Sequence, residues 1–226
     1  MIELRNVGSV YVAHMRDGEN RLNRRWLDEM TAALDAVEAD EQAEALVTTG
    51  TGRFYSNGFD LDWLAQPDTE PMVGFVKDVE HLMARLLGFP MVTVAACNGH
   101  AFAGGAMLAL CHDLRVMRAD RGFFCLPEID IKIPFTAGMD SLILSTLPRV
   151  VARETMVTGM RIGGTEAAAK QIVHAAVPAD AVLTEAVELA AEHGGKDRHV
   201  LSTIKRRMFA ETIDHLLNSA GTEPPG

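Results

Sequence analysis

Residues 98–107 read NGHAFAGGAM and join two segments of different character. Upstream, residues 91–97 (MVTVAAC) are apolar and β-branched, the signature of a buried strand. Downstream, residues 106–111 (AMLALC) are apolar without strict alternation and read as a buried helix. Between them, Gly104 and Gly105 let the backbone turn sharply and approach a ligand with no Cβ in the way. A helix start also offers free N–H groups with the positive end of the dipole behind them. Such a corner suits an anion, or negative charge growing on a carbonyl oxygen. Tight packing alone gives the same pattern, so a chemical role requires partners elsewhere in the chain.

At 226 residues the chain has the length of one domain, or of one domain with a small appendage, and can bury a full core without disulfides or metal. A net charge of −10 argues against nucleic acid or an anionic membrane as main partner. Cys97, Cys111 and Cys125 are odd in number, lack CxxC spacing and sit in apolar runs, which predicts buried free thiols. The first residues carry neither a signal-peptide nor a transit pattern, and no apolar run reaches membrane-spanning length. The expected location is cytoplasmic, with the last residues frayed.

Strands are expected over 2–7, 10–15 and 45–49, with a polar, glycine-bearing loop over 50–58. Asn23 is a suitable N-cap for a helix to about Asp40, in which Leu27, Met30, Leu34 and Val37 recur at helical spacing. A second long helix fits 72–87, stopped by Phe89-Pro90. Short strands fit 114–117 and 122–125. Beyond Phe135 the pattern is mainly helical, over 139–147, 152–158, 165–170, 179–192 and 199–217, with a strand expected at 173–177. The fold class is α/β, a β-rich core followed by a helical tail, without repeats.

Three segments then fall into line: Phe54-Tyr55-Ser56-Asn57-Gly58-Phe59-Asp60-Leu61, Asn98 through Gly105, and Leu126-Pro127-Glu128-Ile129. In this order and at these separations they resemble the crotonase superfamily, the enoyl-CoA hydratases and isomerases. The resemblance implies a spiral of ββα units over residues 1–171, bearing an acyl-CoA site, and a C-terminal helical region over 172–226 for trimerisation and CoA contacts. It implies homotrimers or hexamers. It also implies an oxyanion hole from the backbone N–H groups of Phe59 and Gly104, with Asp60 and Leu61 beside the pantetheine. CoA enters as part of the substrate; no metal, flavin or nicotinamide cofactor is implied.

One departure is informative. Hydratases of this superfamily activate a water with two glutamates, one just after the glycine stretch and one in the Pro-Glu motif. Here the first position is Met107 and the second is Glu128. Methionine neither transfers a proton nor anchors a water as a carboxylate does. Moving a double bond needs one base, which takes a proton from C2 and returns it at C4. The sequence therefore points to a Δ3-Δ2-enoyl-CoA isomerase of fatty-acid β-oxidation, similar to the single-glutamate isomerases of plant peroxisomes. The alternatives are an enoyl-CoA hydratase or lyase of the same superfamily, or a catalytically weak acyl-CoA-binding member.

The remaining candidates have bland readings beside the chemical ones. Asp130, two residues past Glu128, should face away if the segment is extended. His100 reads as a structural, hydrogen-bonding histidine. His112-Asp113 resembles a dyad, but neighbours at a helix end do not face each other. Histidine spacing suggests no metal site. Lys205-Arg206-Arg207 is either a solvated helix face or, through Lys205 and Arg206, a clamp for the CoA phosphates; Arg24 and Arg25 are a second option. The apolar stripe over 72–87, with Ile143 and Leu144, could serve the core or subunit contact.

Overall fold

The computed structural model describes residues 1–66 and 71–218, so the expected fraying of the last residues falls outside the described chain. The chain opens with β1 (Ile2–Val7), β2 (Val10–Met15), α1 (Arg24–Ala39), β3 (Ala45–Thr49), β4 (Phe54–Ser56), α2 (Leu61–Leu64) and α3 (Met72–Leu87). It continues through β5 (Val92–Cys97), β6 (His100–Phe102), α4 (Gly104–Leu110), β7 (Leu114–Arg118), β8 (Phe123–Cys125), α5 (Glu128–Ile131), α6 (Ala137–Thr146) and α7 (Arg149–Thr158). Last come β9 (Ile162–Gly163), α8 (Gly164–Ala169), β10 (Ala175–Val177), α9 (Val182–His193), α10 (Arg198–Met208) and α11 (Ala210–Asn218).

From β3 to β8, strands alternate between two sheets. The larger runs β1-β2-β3-β5-β7-β10 and the smaller β4-β6-β8-β9. Thus β3, β5 and β7 each lie in the large sheet, their successors β4, β6 and β8 cross to the small one, and a helix follows each pair. This is the spiral of ββα units implied by the resemblance. The parallel strands β3 and β5 are buried on both faces and mostly apolar, because both faces are covered. On one side, Val12, Val47 and Val94 pack against α9 through Val182, Ala186 and Ala190. On the other, Met15, Leu46 and Ala95 join the main core with α1, α3 and α4.

Local signals account for the long helices. The Asn23 side chain accepts from Trp26 N at 3.0 Å, a cap worth about 1 kcal/mol, and places Trp26, Leu27, Met30, Leu34 and Val37 inward. Most of the α3 stripe is core: Val76, Val79, Met83 and Leu86 are buried, as is Ile143, whereas Met72 at its start and Leu144 are exposed. The three cysteines are free and buried.

Beyond residue 171, β10 extends the large sheet beside β7 and α9 lies on β5. The single helix expected over 199–217 is two, broken at Phe209. The first packs beside Gly88, the second against α3 and α6. No helix among the described residues is long and apolar enough to cross a membrane.

Candidate active site

Two loops that leave the spiral at adjacent strand ends are tied together by side chains. Asn98 accepts from Gly50 N at 2.8 Å and donates to Gly52 O and Phe54 O. Ser56 Oγ donates to Asn20 O at 2.7 Å and accepts from Gly58 N at 3.2 Å, holding the turn before Phe59. That turn runs through Gly58 at φ +80°. In the second loop Ala103, just before α4, holds φ +50° and ψ −125°. A non-glycine residue rarely occupies that region, and the cost is of order 1–3 kcal/mol. Sequence reading gave no sign of it. Ala103 N donates to Cys125 O, which fastens this loop to the strand that runs into Pro127-Glu128.

The loops meet at their glycines. The Phe59 ring packs over Gly104, and Gly58 faces Gly104 N. Neither Phe59 N nor Gly104 N donates to any acceptor among the described residues. Two unused N–H groups therefore lie on touching segments beside a cavity of about 330 Å³. Its wall is mostly apolar, with Phe59, Leu61, Val76, Met107, Ile133 and Met139 among the lining residues. Such a space accepts an acyl chain better than a charged group.

Glu128 lines the same cavity and starts α5. It is 6% exposed, and its Oε2 is buried without a hydrogen-bond partner. Burial pushes its carboxyl up from 4.5 to about 7, opposed weakly by a backbone hydrogen bond. Near neutral pH such a group can both take and return a proton. Asp130 is exposed and packs at Gly159, away from this wall. The other carboxylate on the wall, Asp62, is exposed and pairs with Arg21 at 2.6 Å.

The remaining residues singled out in the sequence lie as follows. Leu61 lines the cavity, but the Asp60 side chain caps α2 through Trp63 N and accepts from Asn23, so it is occupied structurally. His100 packs among Phe54, Phe102 and Phe123, and its buried Nδ1 makes no hydrogen bond, unlike the hydrogen-bonding histidine expected. Arg24 pairs with Asp78 and Arg25 with Glu29. No cluster of three potential metal ligands occurs among the described residues.

The structure gives Lys205 partners other than the phosphates expected of it. Its ammonium is buried and donates to Met91 O at 2.7 Å and to Asp113, at the end of β5 remote from Gly104. Asp113 in turn accepts from Thr93, so no dyad with His112 forms. Arg206 alone of the pair is exposed, lying over Gly88 with Nε donating to Ser202. Lys205→Ala should cost about 3–5 kcal/mol in urea unfolding by stranding the Asp113 carboxylate. Turnover per folded molecule should be unchanged; a selective rise in KM for CoA substrates would restore the phosphate role.

A family model described as enoyl-CoA hydratase/isomerase matches residues 6–223. The peroxisomal enoyl-CoA delta isomerase 1 of Arabidopsis thaliana is 33% identical over 209 residues, 89% of this chain and 86% of the relative. A putative enoyl-CoA hydratase of Thermus thermophilus is 36% identical, over 82% of this chain and 74% of its own. Among solved structures, an apo enoyl-CoA isomerase from Mycobacterium tuberculosis superposes with a TM-score of 0.88 at 28% identity, covering 95% of this chain and 93% of that one. Human mitochondrial delta3-delta2-enoyl-CoA isomerase shares the fold at a TM-score of 0.88 and 24% identity, covering 96% and 86%.

Proposed function

This chain belongs to the enoyl-CoA hydratase/isomerase family, and from that premise we propose that it moves a double bond from C3 to C2 of an enoyl-CoA, with Glu128 as its one acid/base. The observation that carries this reading is a single buried carboxylate in an apolar cavity, its Oε2 without a hydrogen-bond partner. Met107, 1% exposed, fills the wall where a second glutamate would stand. Glu128 removes a proton from C2, and the electron pair flows onto the thioester oxygen as a dienolate. The N–H groups of Phe59 and Gly104 stabilise that oxygen. The same carboxyl then delivers the proton to C4, the C2–C3 double bond forms, and the carbonyl is restored.

Hydration would need a held water and a second acid/base, and the other carboxylate on the wall, Asp62, is exposed to solvent and paired with Arg21. The relatives named as delta isomerases agree with the isomerase reading, while those named as hydratases make the comparison worth measuring. Family membership also favours a homotrimer or hexamer, which would cover apolar side chains exposed here, such as Val150 and Val157 on α7.

The test is turnover of 3-enoyl-CoA and 2-enoyl-CoA substrates across pH. Isomerisation of the 3-enoyl substrate is expected, with kcat/KM rising about tenfold per pH unit below pH 7 and levelling above it, because the base must be ionised. Efficient hydration of the 2-enoyl substrate with none of the 3-enoyl one consumed would overturn the proposal.

A further inference from the structure

Two N–H groups that serve one oxygen must keep a fixed spacing, yet Phe59 follows β4 whereas Gly104 begins α4. Between these elements the core holds three polar side chains. Tyr55 on β4 and Thr48 on β3 are 0% exposed and His112, just past α4, is 3% exposed. Thr48 Oγ1 lies 2.7 Å from Tyr55 Oη and 2.9 Å from His112 Nε2. His112 Nδ1 lies 2.9 Å from Leu108 O.

One proton arrangement satisfies every group. A carbonyl only accepts, so Nδ1 carries the ring proton. Burial depresses the imidazole to about 4, so the ring is neutral and Nε2 accepts. Thr48 must then donate to Nε2, which leaves its oxygen to accept from Tyr55 O–H. The result is a one-way chain from Tyr55 through Thr48 and His112 to the α4 backbone. Apolar side chains of similar size would fill this space at lower desolvation cost, but without a fixed direction.

Each end of the chain is coupled to one donor. Tyr55 is followed by Ser56, whose hydroxyl fixes Gly58 N before Phe59. His112 anchors the last turn of α4, a seven-residue helix about 10 Å long, so a shift there is carried to its first residue, Gly104. The two segments also touch, since a Cβ on Gly105 would run into Ser56 O. We propose that Tyr55, Thr48 and His112 are positioning residues that set the spacing of the Phe59 and Gly104 N–H groups, and so the polarisation of the thioester carbonyl. This rests on the oxyanion reading above.

The test compares the full-length wild type with Tyr55→Phe, Thr48→Val and Thr48→Ser. Kinetics on a 3-enoyl-CoA are paired with the absorbance shift of a bound arylacryloyl-CoA, whose conjugated carbonyl reports its own polarisation. Tyr55→Phe and Thr48→Val should each lower kcat about tenfold, less than loss of a whole donor, with KM nearly unchanged and a smaller red shift. Thr48→Ser, which restores the hydroxyl, should keep both. A folded Tyr55→Phe with wild-type kcat and shift overturns the inference, and so does a Thr48→Ser as impaired as Thr48→Val. Should Thr48→Val not fold, Tyr55→Phe, which removes one oxygen atom, decides. A wild type that binds the probe without any red shift would instead bring down the oxyanion reading, and this inference with it.

Discussion

Glu128→Gln is expected to lose about 10²–10⁴-fold in kcat on a 3-enoyl-CoA while becoming the more stable protein at alkaline pH. The kinetic half follows from chemistry: an amide of the same shape cannot take a proton from C2. Binding should change little, because the cavity wall is unaltered and mostly apolar.

The stability half follows from linkage. The carboxyl titrates at about 7 in the folded protein, against an ordinary value of 4.5. Between those values the native state holds a proton that the unfolded chain has lost, so stability falls as pH rises through that window. By pH 8 the ionised, desolvated carboxylate costs about 3 kcal/mol relative to its protonated form. Glutamine never ionises, and its amide inherits the buried position of the neutral carboxyl, whose Oε2 already lacks a hydrogen-bond partner. Urea unfolding should therefore show Glu128→Gln more stable than wild type at pH 8, with the difference closing by about pH 4.5. A gap that does not change with pH would mean that burial is not what tunes this group.

What could be read from the sequence, and what could not, follows the range of the forces involved. β1, β2 and β3 and the helix α3 match their expected limits because hydrophobic periodicity is local. β4 and β6 have three residues each, inside glycine-bearing loops, and become strands only by pairing within the small sheet, β4 with β6 and β6 also with β8. The break at Phe209 carries no glycine or proline; it arises where α10 and α11 meet different neighbours. In the site, the glycines and the Pro-Glu pair are visible as residue types, and the fold brings Phe59 and Glu128 to one cavity. Lys205 shows the opposite case. A basic run looks alike whether it faces solvent or an aspartate distant in sequence, and only packing reveals Asp113 beneath it.

Gly58→Ala should have the second large effect, and a second glycine provides its control. Gly58 holds φ +80°, and a Cβ there would lie 2.9 Å from Gly104 N, Phe102 O and Ala103 Cβ. The first two are backbone atoms, so the collision is relieved only by moving the two loops apart. Each loop carries one of the proposed donors, and misaligning either should cost about 10²–10³-fold in kcat, by analogy with removal of a donor. Part of any loss could instead come from forcing alanine into the left-handed region, at roughly 1–2 kcal/mol. Gly52 separates the two effects: it holds φ +72° with nothing within 4 Å of its Cβ position. Gly52→Ala should thus share the backbone strain alone, lowering unfolding stability by less than Gly58→Ala does, and leave kcat near wild type. If the two variants turn over alike, crowding at Gly104 N is irrelevant to the reaction, and the carbonyl is polarised by some other group. If only Gly58→Ala fails, the loss lies in the spacing of the two N–H groups rather than in the strain of the turn.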